Sequence, residues 1–149
     1  MPNPKARAAV LHASPEDAEA QFYDALRDGD LERVMDVWAD DEDVVCVHPG
    51  GARVVGPAAV RAAFEAIFAN GTIGVHPEHV KRVHAMGSAV HSVLERIDIV
   101  TVEGPRTGWI VATNVYVKTS QGWRMVAHHA SPGAPDEIPD LADAPSVLH

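Results

Sequence analysis

The sequence predicts an α+β fold, in which three helices come first along the chain and four long strands follow. Apolar residues recur at helical spacing between residues 14 and 68, whereas residues 80–131 are rich in Val, Ile, Thr and aromatic side chains. Gly-Ser, Gly-Pro and Gln-Gly pairs separate the strands, as in turns between antiparallel neighbours. The simplest packing is one strongly curved, mixed or antiparallel sheet around the helices. Its concave face would leave a pocket that the helices close only in part.

The first helix has clear start and stop signals. Ser14 suits the N-cap, Pro15 suits the first helical position, and Glu16 and Asp17 lie where the helix dipole favours acidic groups. Gly29 is expected to end this helix, because glycine readily adopts the left-handed conformation of a C-terminal cap.

Two more helices, a hairpin and the long strands are expected after Gly29. Asp30 can cap a short second helix, whose apolar face is formed by Leu31, Val34, Met35 and Trp38. Residues 44–48 and 53–55 are predicted to form a small hairpin, and a third helix begins at Pro57. The four long strands are expected at residues 80–86, 89–102, 107–119 and 123–131.

Length and charge exclude several classes of function. The chain has 149 residues, which suits about one domain. Lys and Arg number 12 against 21 for Asp and Glu, so the formal net charge is -9 and a broad basic face for nucleic acid is not expected. No apolar run reaches the roughly 18 to 20 residues of a membrane span, so no membrane partner is expected.

The ends of the chain differ from its middle in composition. We expect residues 1–13 to be a flexible N-terminal arm, residues 14–132 to be the folded domain, and residues 133–149 to be an acidic, proline-rich C-terminal tail. The single Cys46 cannot form an intramolecular disulfide, which favours a reducing, cytoplasmic location.

Glu95 is the first candidate for chemistry. It lies on the strand that follows Gly87, and alternation places it on one face with His91, Val93, Ile97 and Ile99. A carboxylate among apolar neighbours has a raised pKa unless it is paired, and such tuning makes a general acid or base. The alternative is a glutamate that reaches the rim of the fold or pairs with a nearby histidine.

Histidines supply the second group of candidates. His128 and His129 are adjacent on the last strand, so they must point to opposite faces. His129 shares its parity with apolar residues and is predicted to point inward as a second catalytic residue. His48 ends the first short strand and is a candidate ligand-binding residue. Each of them could instead be satisfied by backbone groups or lie at an interface.

Three further residues are candidate ligand contacts. Asn114 lies in mid-strand, where an amide is unfavourable unless hydrogen bonds compensate, either to a ligand or across the sheet. Trp38 and Tyr23 could form walls of the pocket or could simply pack in the core.

We expect neither a metal nor a cofactor. The run His76-Pro77-Glu78-His79 contains a proline and lies outside any predicted helix, so it does not match the helical zinc-protease pattern. No Gly-rich phosphate loop and no Gly-x-Ser-x-Gly sequence is present.

Four stretches resemble the nuclear transport factor 2-like superfamily in its SnoaL-like branch. They are FYDALRDGDLE at 22–32, VCVHPGG at 45–51, GPAAV at 56–60 and GWRMVAHHASP at 122–132, and the last is the most specific. The resemblance implies a cone-shaped, cystatin-like or ketosteroid-isomerase-like fold with a pocket at its open end and dimers formed through the sheet. Members include ketosteroid isomerases, polyketide cyclases, dehydratases and non-catalytic modules.

Residues 76–135 also resemble the association (hub) domain of calcium/calmodulin-dependent protein kinase type II. In that hub, pocket arginines occupy places that match Glu95 and Asn114 here. The resemblance therefore implies that both side chains face the cavity, and it disfavours binding of a small carboxylate at this position.

Two functions stay open on these grounds. In the first, Glu95 is the general acid or base, His129 or His48 moves or orients the proton, and Asn114 positions a carbonyl or hydroxyl group. The reaction would be of the isomerase, cyclase or dehydratase type on a mostly apolar carbonyl compound. In the second, the protein is a non-catalytic ligand-binding or oligomerisation module. For both, an apolar outer sheet face predicts a homodimer.

Overall fold

A computed structural model describes residues 12–133. Residues 1–11 of the predicted arm and residues 134–149 of the predicted tail lie outside the described residues, so the division into arm, domain and tail stays a prediction. His12 lies at the edge of the described part, where it is buried, and its carbonyl oxygen accepts a hydrogen bond from the backbone N–H of Trp123 at 2.9 Å.

Three helices form near their predicted positions, namely α1 (Pro15–Asp28), α2 (Leu31–Met35) and α3 (Pro57–Phe68). The Ser14 side chain caps α1 by accepting a hydrogen bond from the backbone N–H of Asp17 at 3.1 Å, and Gly29 ends it with a φ of 66°. Helix α2 is shorter than its apolar pattern suggests. The chain leaves the helix so that Trp38 forms a parallel bridge with Met125 of the sheet.

The strands form one six-stranded sheet. Its members are β1 (Val45–Val47), β2 (Val54–Val55), β3 (Gly74–Ala85), β4 (Ser88–Thr101), β5 (Gly104–Thr119) and β6 (Gly122–Pro132). The spatial order is β2-β1-β6-β5-β4-β3, and the β1–β6 pair is parallel while the other pairs are antiparallel. The predicted α+β class with helices packed on a mixed sheet is confirmed.

Strand β3 begins earlier than the sequence predicts. Residues 74–78 pair with residues 94–98 of β4, before a register shift between Glu78 and Lys81. His79 lies in this irregular segment with a φ of 48°, a conformation that non-glycine residues adopt rarely. The bulge and Pro77 hide the strand pattern, and Pro77 is tolerated here because β3 is an edge strand.

A second bulge, in β6, determines which histidine points inward. Val115 pairs with Ala127 but Tyr116 pairs with Met125, so Val126 is an extra residue in β6. An extra residue reverses the alternation of side chains on its two sides. Met125 and His128 are therefore both buried, although they differ in parity along the sequence.

The core lies between the inner face of the sheet and helices α1 and α3. Phe22 is fully buried there, and its ring lies 6.0 Å from that of Phe64 and 5.2 Å from that of His128. Within residues 12–133, none of the helices has the length and apolar character needed to span a membrane.

Candidate functional site

A cavity of about 260 Å³, partly open to solvent, lies between the helices and the inner face of the sheet. Most of its lining is apolar, and Glu95, His48 and His128 supply the polar groups. No Lys or Arg lines it among the described residues. The apolar lining residues are Leu26, Pro49, Phe64, Ile67, Ile73, Val75, Ile97, Ile110 and Ala130.

Glu95 enters this cavity from strand β4. Its side chain is only 5% exposed, and the Tyr23 hydroxyl of helix α1 donates a hydrogen bond to Oε2 at 2.7 Å. Burial raises the pKa of Glu95 to about 7, and the hydrogen bond from Tyr23 opposes that rise. A carboxyl group with this pKa can exchange a proton near neutral pH.

Behind Glu95, a directed chain of hydrogen bonds crosses the core. The amide nitrogen of Asn114 donates to the Tyr23 hydroxyl at 2.9 Å, and Asn114 Oδ1 lies 2.5 Å from Nδ1 of His128. Because an amide oxygen can only accept, Nδ1 of His128 must carry the hydrogen. Every donor in the chain then points towards Glu95, an arrangement that favours its ionised form.

His128 ends this chain as a neutral ring. Burial is the main cause that lowers its pKa to about 3, and the nearby charges of His48 and His129 lower it further. With its hydrogen on Nδ1, the ring keeps a lone pair on Nε2. His128 can therefore accept a hydrogen bond from a bound molecule, but it does not donate a proton at neutral pH.

His48 forms another wall of the cavity. Its ring lies 4.8 Å from that of Phe64 in an edge-on contact, and its Nε2 lies 3.5 Å from Cys46 Sγ. Burial lowers the pKa of His48 and raises that of Cys46 to about 12. The thiol therefore stays protonated, and the pair does not form the thiolate that a cysteine nucleophile needs.

The structure brings together some of the predicted residues and separates others. Glu95 and His48 line the cavity, while Tyr23 and Asn114 lie directly behind it and hold Glu95. Trp38 is buried against Phe64 in the core and does not line the cavity.

The predicted inward orientation of His129 is wrong. Its side chain is exposed, and His128 takes the inner position because of the bulge at Val126. The apolar parity that pointed to His129 came from Met125 and Ala127, which lie on opposite sides of that bulge. His128 shares its parity with the buried Ala130, and this was the signal in the sequence that could have identified it.

Residues 16–135 match the SnoaL-like domain family. The chain belongs to this family. Among solved structures, this SnoaL-like chain is similar to a candidate calcium/calmodulin-dependent protein kinase type II association domain from Thiobacillus denitrificans. The two are 38% identical, with a TM-score of 0.76, over 83% of this chain and 98% of that one.

Two other solved structures place the SnoaL-like chain in the same fold group. A candidate dehydratase of the NTF2-like family from Streptomyces avermitilis is 29% identical, with a TM-score of 0.70, over 78% of this chain and 91% of that one. The CaMKII hub of S. rosetta is 21% identical, with a TM-score of 0.64, over 89% of this chain and all of that one, and this likeness shows the fold alone. A comparison with curated proteins finds no match.

Proposed function

We propose that this SnoaL-like protein catalyses proton transfer on a small, mostly apolar carbonyl compound, with Glu95 as the general base or acid. The observation that carries the proposal is a buried carboxyl group with a pKa of about 7 in the wall of an apolar cavity. Enzymes use this combination of burial and hydrogen bonding to hold a proton carrier ready near neutral pH.

The cavity supports a neutral substrate. Without Lys or Arg among its described lining residues, it offers no partner for a carboxylate or phosphate group. Its volume of about 260 Å³ lies just below the range of roughly 300 to 1,000 Å³ that is typical of ligand pockets, so a small compound fits best.

Each polar group then has a role that its chemistry allows. Ionised Glu95 removes a proton next to the carbonyl group, which is the step shared by isomerase and dehydratase reactions. The protonated Glu95 then returns this proton to another carbon of the substrate in an isomerisation, or to a leaving hydroxyl group, which departs as water, in a dehydration. Tyr23 and Asn114 are positioning residues that hold Glu95 through the hydrogen-bond chain. His128 accepts a hydrogen bond through Nε2 and orients a hydroxyl group of the substrate.

An exchange assay tests this proposal before the substrate is known. Small apolar ketones are incubated with the protein in D2O, and NMR follows the loss of hydrogens next to the carbonyl group. We expect exchange for at least one ketone, rising with pH through about 7 as Glu95 ionises. In Glu95→Gln the rate should fall by about 10² to 10⁴.

Glu65→Gln is the matched control, because Glu65 is exposed on helix α3 and does not line the cavity. Equal exchange rates in the wild type and Glu95→Gln would remove Glu95 from the mechanism. Ketones that bind the cavity without any exchange would favour a non-catalytic role.

A second candidate function is oligomerisation as a structural module. The Thiobacillus denitrificans structure, at 38% identity, is described as a candidate association domain. Exposed apolar side chains on the outer face of strand β4, opposite Glu95, provide surface for such contacts, namely Val90 and Val100. We propose a homodimer through this sheet. Sedimentation at micromolar concentration should give at least twice the chain mass of 15.9 kDa, and a monomer would contradict it.

A further inference from the structure

A second group of titratable side chains lies at the other end of strand β4, away from the cavity. Glu16 and Glu19 come from the first turns of α1, His84 from β3 and His91 from β4. His91 lies four residues before Glu95 on β4, which separates the two positions by about 13 Å along the strand. This group is therefore distinct from the site around Glu95.

Three of these side chains converge on one point. Glu16 Oε2 lies 3.1 Å from His84 Nε2 and 3.5 Å from His91 Nε2, and the ligand atoms of all three residues lie within 4.8 Å of one another. In a tetrahedral zinc site with bonds near 2.05 Å, neighbouring ligand atoms lie about 3.3 Å apart. The separations of 3.1 Å and 3.5 Å from Glu16 to the two histidines are both close to this value.

His91 supplies the second, independent observation. Its side chain is completely buried, yet neither ring nitrogen makes a hydrogen bond of acceptable geometry. Its ring packs against that of Tyr116 at 4.9 Å, so the imidazole is held in place by packing. A buried imidazole without hydrogen-bond partners is unfavourable, and a metal ion on Nε2 would satisfy it.

Glu19 is placed to support His91 as a ligand. Its Oε1 lies 2.8 Å from Nδ1 of His91, which is within hydrogen-bond distance. Histidines that bind metals commonly donate their other ring N–H to a carboxylate, which fixes the tautomer and raises the basicity of the ligand. Glu19 itself is almost fully buried, so this carboxylate is well placed for that role.

Charge and access also suit a cation. The guanidinium of Arg82 lies 3.4 Å from Glu19 and 3.7 Å from Glu16, so it offsets one of the two negative charges. The formal charges of Glu16, Glu19 and Arg82 together sum to -1, which favours a cation. The side chains of Glu16 and His84 are 43% and 47% exposed, so an ion can reach them from solvent.

We propose that Glu16, His84 and His91 bind a divalent transition-metal ion, of which Zn²⁺ fits best. Two imidazoles and one carboxylate form a donor set that zinc sites use, with the fourth position taken by water or an external ligand. None of the histidine spacings in the sequence predicts this site, because its members come from three separate elements.

The test is a Zn²⁺ titration of the full chain without an affinity tag, followed by calorimetry. We expect one ion per chain in the wild type. Glu19→Gln should weaken Zn²⁺ binding by about 10- to 100-fold, which is typical when a residue that hydrogen-bonds to a metal ligand is replaced. His84→Gln and Glu16→Gln each remove a ligand and should weaken Zn²⁺ binding further. Co²⁺ should give the intense visible absorption of a four-coordinate site in the wild type but not in His84→Gln or Glu16→Gln.

His129→Gln is the matched control, because it removes another exposed histidine from a strand outside the group. Its Zn²⁺ affinity should stay within about threefold of the wild-type value. Saturating Zn²⁺ should also raise the melting temperature of the wild type and of this control, but not that of His84→Gln.

Equal Zn²⁺ affinity in the wild type, His84→Gln and Glu16→Gln would overturn the proposal, because the ion would then bind elsewhere. The absence of any Zn²⁺ binding would overturn it as well. In that case the carboxylates of Glu16 and Glu19 would serve as the polar partners of the His91 ring, and no metal would be needed.

Discussion

The pH dependence of stability, compared between the wild type and Glu95→Gln, should report the ionisation of Glu95. The folded-state pKa of about 7 lies above the ordinary value of 4.5. Between these two pH values the unfolded chain has lost the Glu95 proton while the folded chain retains it. The unfolded state therefore binds fewer protons, and this group makes the free energy of unfolding fall as the pH rises. The loss amounts to about 3 kcal/mol, because one pKa unit corresponds to about 1.4 kcal/mol.

His128 has the opposite effect over an overlapping range. Its folded-state pKa of about 3 lies below the ordinary 6.5, so the unfolded chain binds more protons between these values. The stability contributed by this buried neutral ring is complete above pH 6.5 and is lost as the pH falls towards 3. Between pH 4.5 and 6.5, Glu95 makes the free energy of unfolding fall as the pH rises, whereas His128 makes it increase. In the wild type the two effects should largely cancel, so neither is visible alone.

In Glu95→Gln, the pH dependence of the free energy of unfolding that His128 causes should become measurable. The amide oxygen of Gln keeps an acceptor for the Tyr23 hydroxyl but does not titrate. The free energy of unfolding of Glu95→Gln minus that of the wild type should therefore increase by about 3 kcal/mol from pH 4.5 to pH 8. Urea unfolding followed by tryptophan fluorescence measures it, with Glu65→Gln as the exposed control. A difference that does not change with pH would refute the burial of an uncharged Glu95.

Three further predictions follow from the same contacts. Tyr23→Phe removes the hydroxyl that donates to Glu95, so the pKa of Glu95 should rise above about 7 in an NMR titration; an unchanged value would contradict the contact. In urea titrations, His128→Asn should lower the free energy of unfolding by about 1 to 3 kcal/mol, because His128 is buried. His129→Asn should change it by less than about 0.5 kcal/mol, because His129 is exposed. Equal effects of the two variants would contradict the assignment of His128 as the inner histidine. The Cys46 thiol, with its pKa raised to about 12, should react with a disulfide reagent only upon unfolding, and rapid reaction of the native protein would argue against its burial.

Local signals in the sequence were sufficient for most of the fold. The caps at Ser14 and Gly29 depend on neighbouring residues alone, so their positions could be predicted closely. The same holds for the turns at Gly87 and Gly122, where φ is positive and glycine is favoured. The face of Glu95 followed from simple alternation, because strand β4 pairs with β5 without a register shift.

The bulges were the main obstacle to predicting the site. An extra residue in a strand reverses which side chains point inward beyond it, and strict alternation applied to the whole strand misses that reversal. Val126 is such a residue, and it changed the inner histidine from His129 to His128. The irregular segment around His79 similarly obscured the first part of β3.

Long-range contacts were the second obstacle. Tyr23 is 72 residues from Glu95 and 91 residues from Asn114 along the chain, so no local pattern predicts their hydrogen bonds. The approach of His84 to Glu16 has the same origin, since helix α1 must first pack across the β3–β4 hairpin. Such contacts follow from the topology of the whole sheet.

The most direct test of the central claim is the pKa of Glu95 itself. Selective ¹³C labelling of glutamate side chains and NMR titration of the full chain would measure it, with Glu95→Gln identifying the resonance. A carboxyl carbon that titrates with a pKa of about 7 is the predicted result. A value near the ordinary 4.5 would contradict the account of Glu95 as a buried proton carrier.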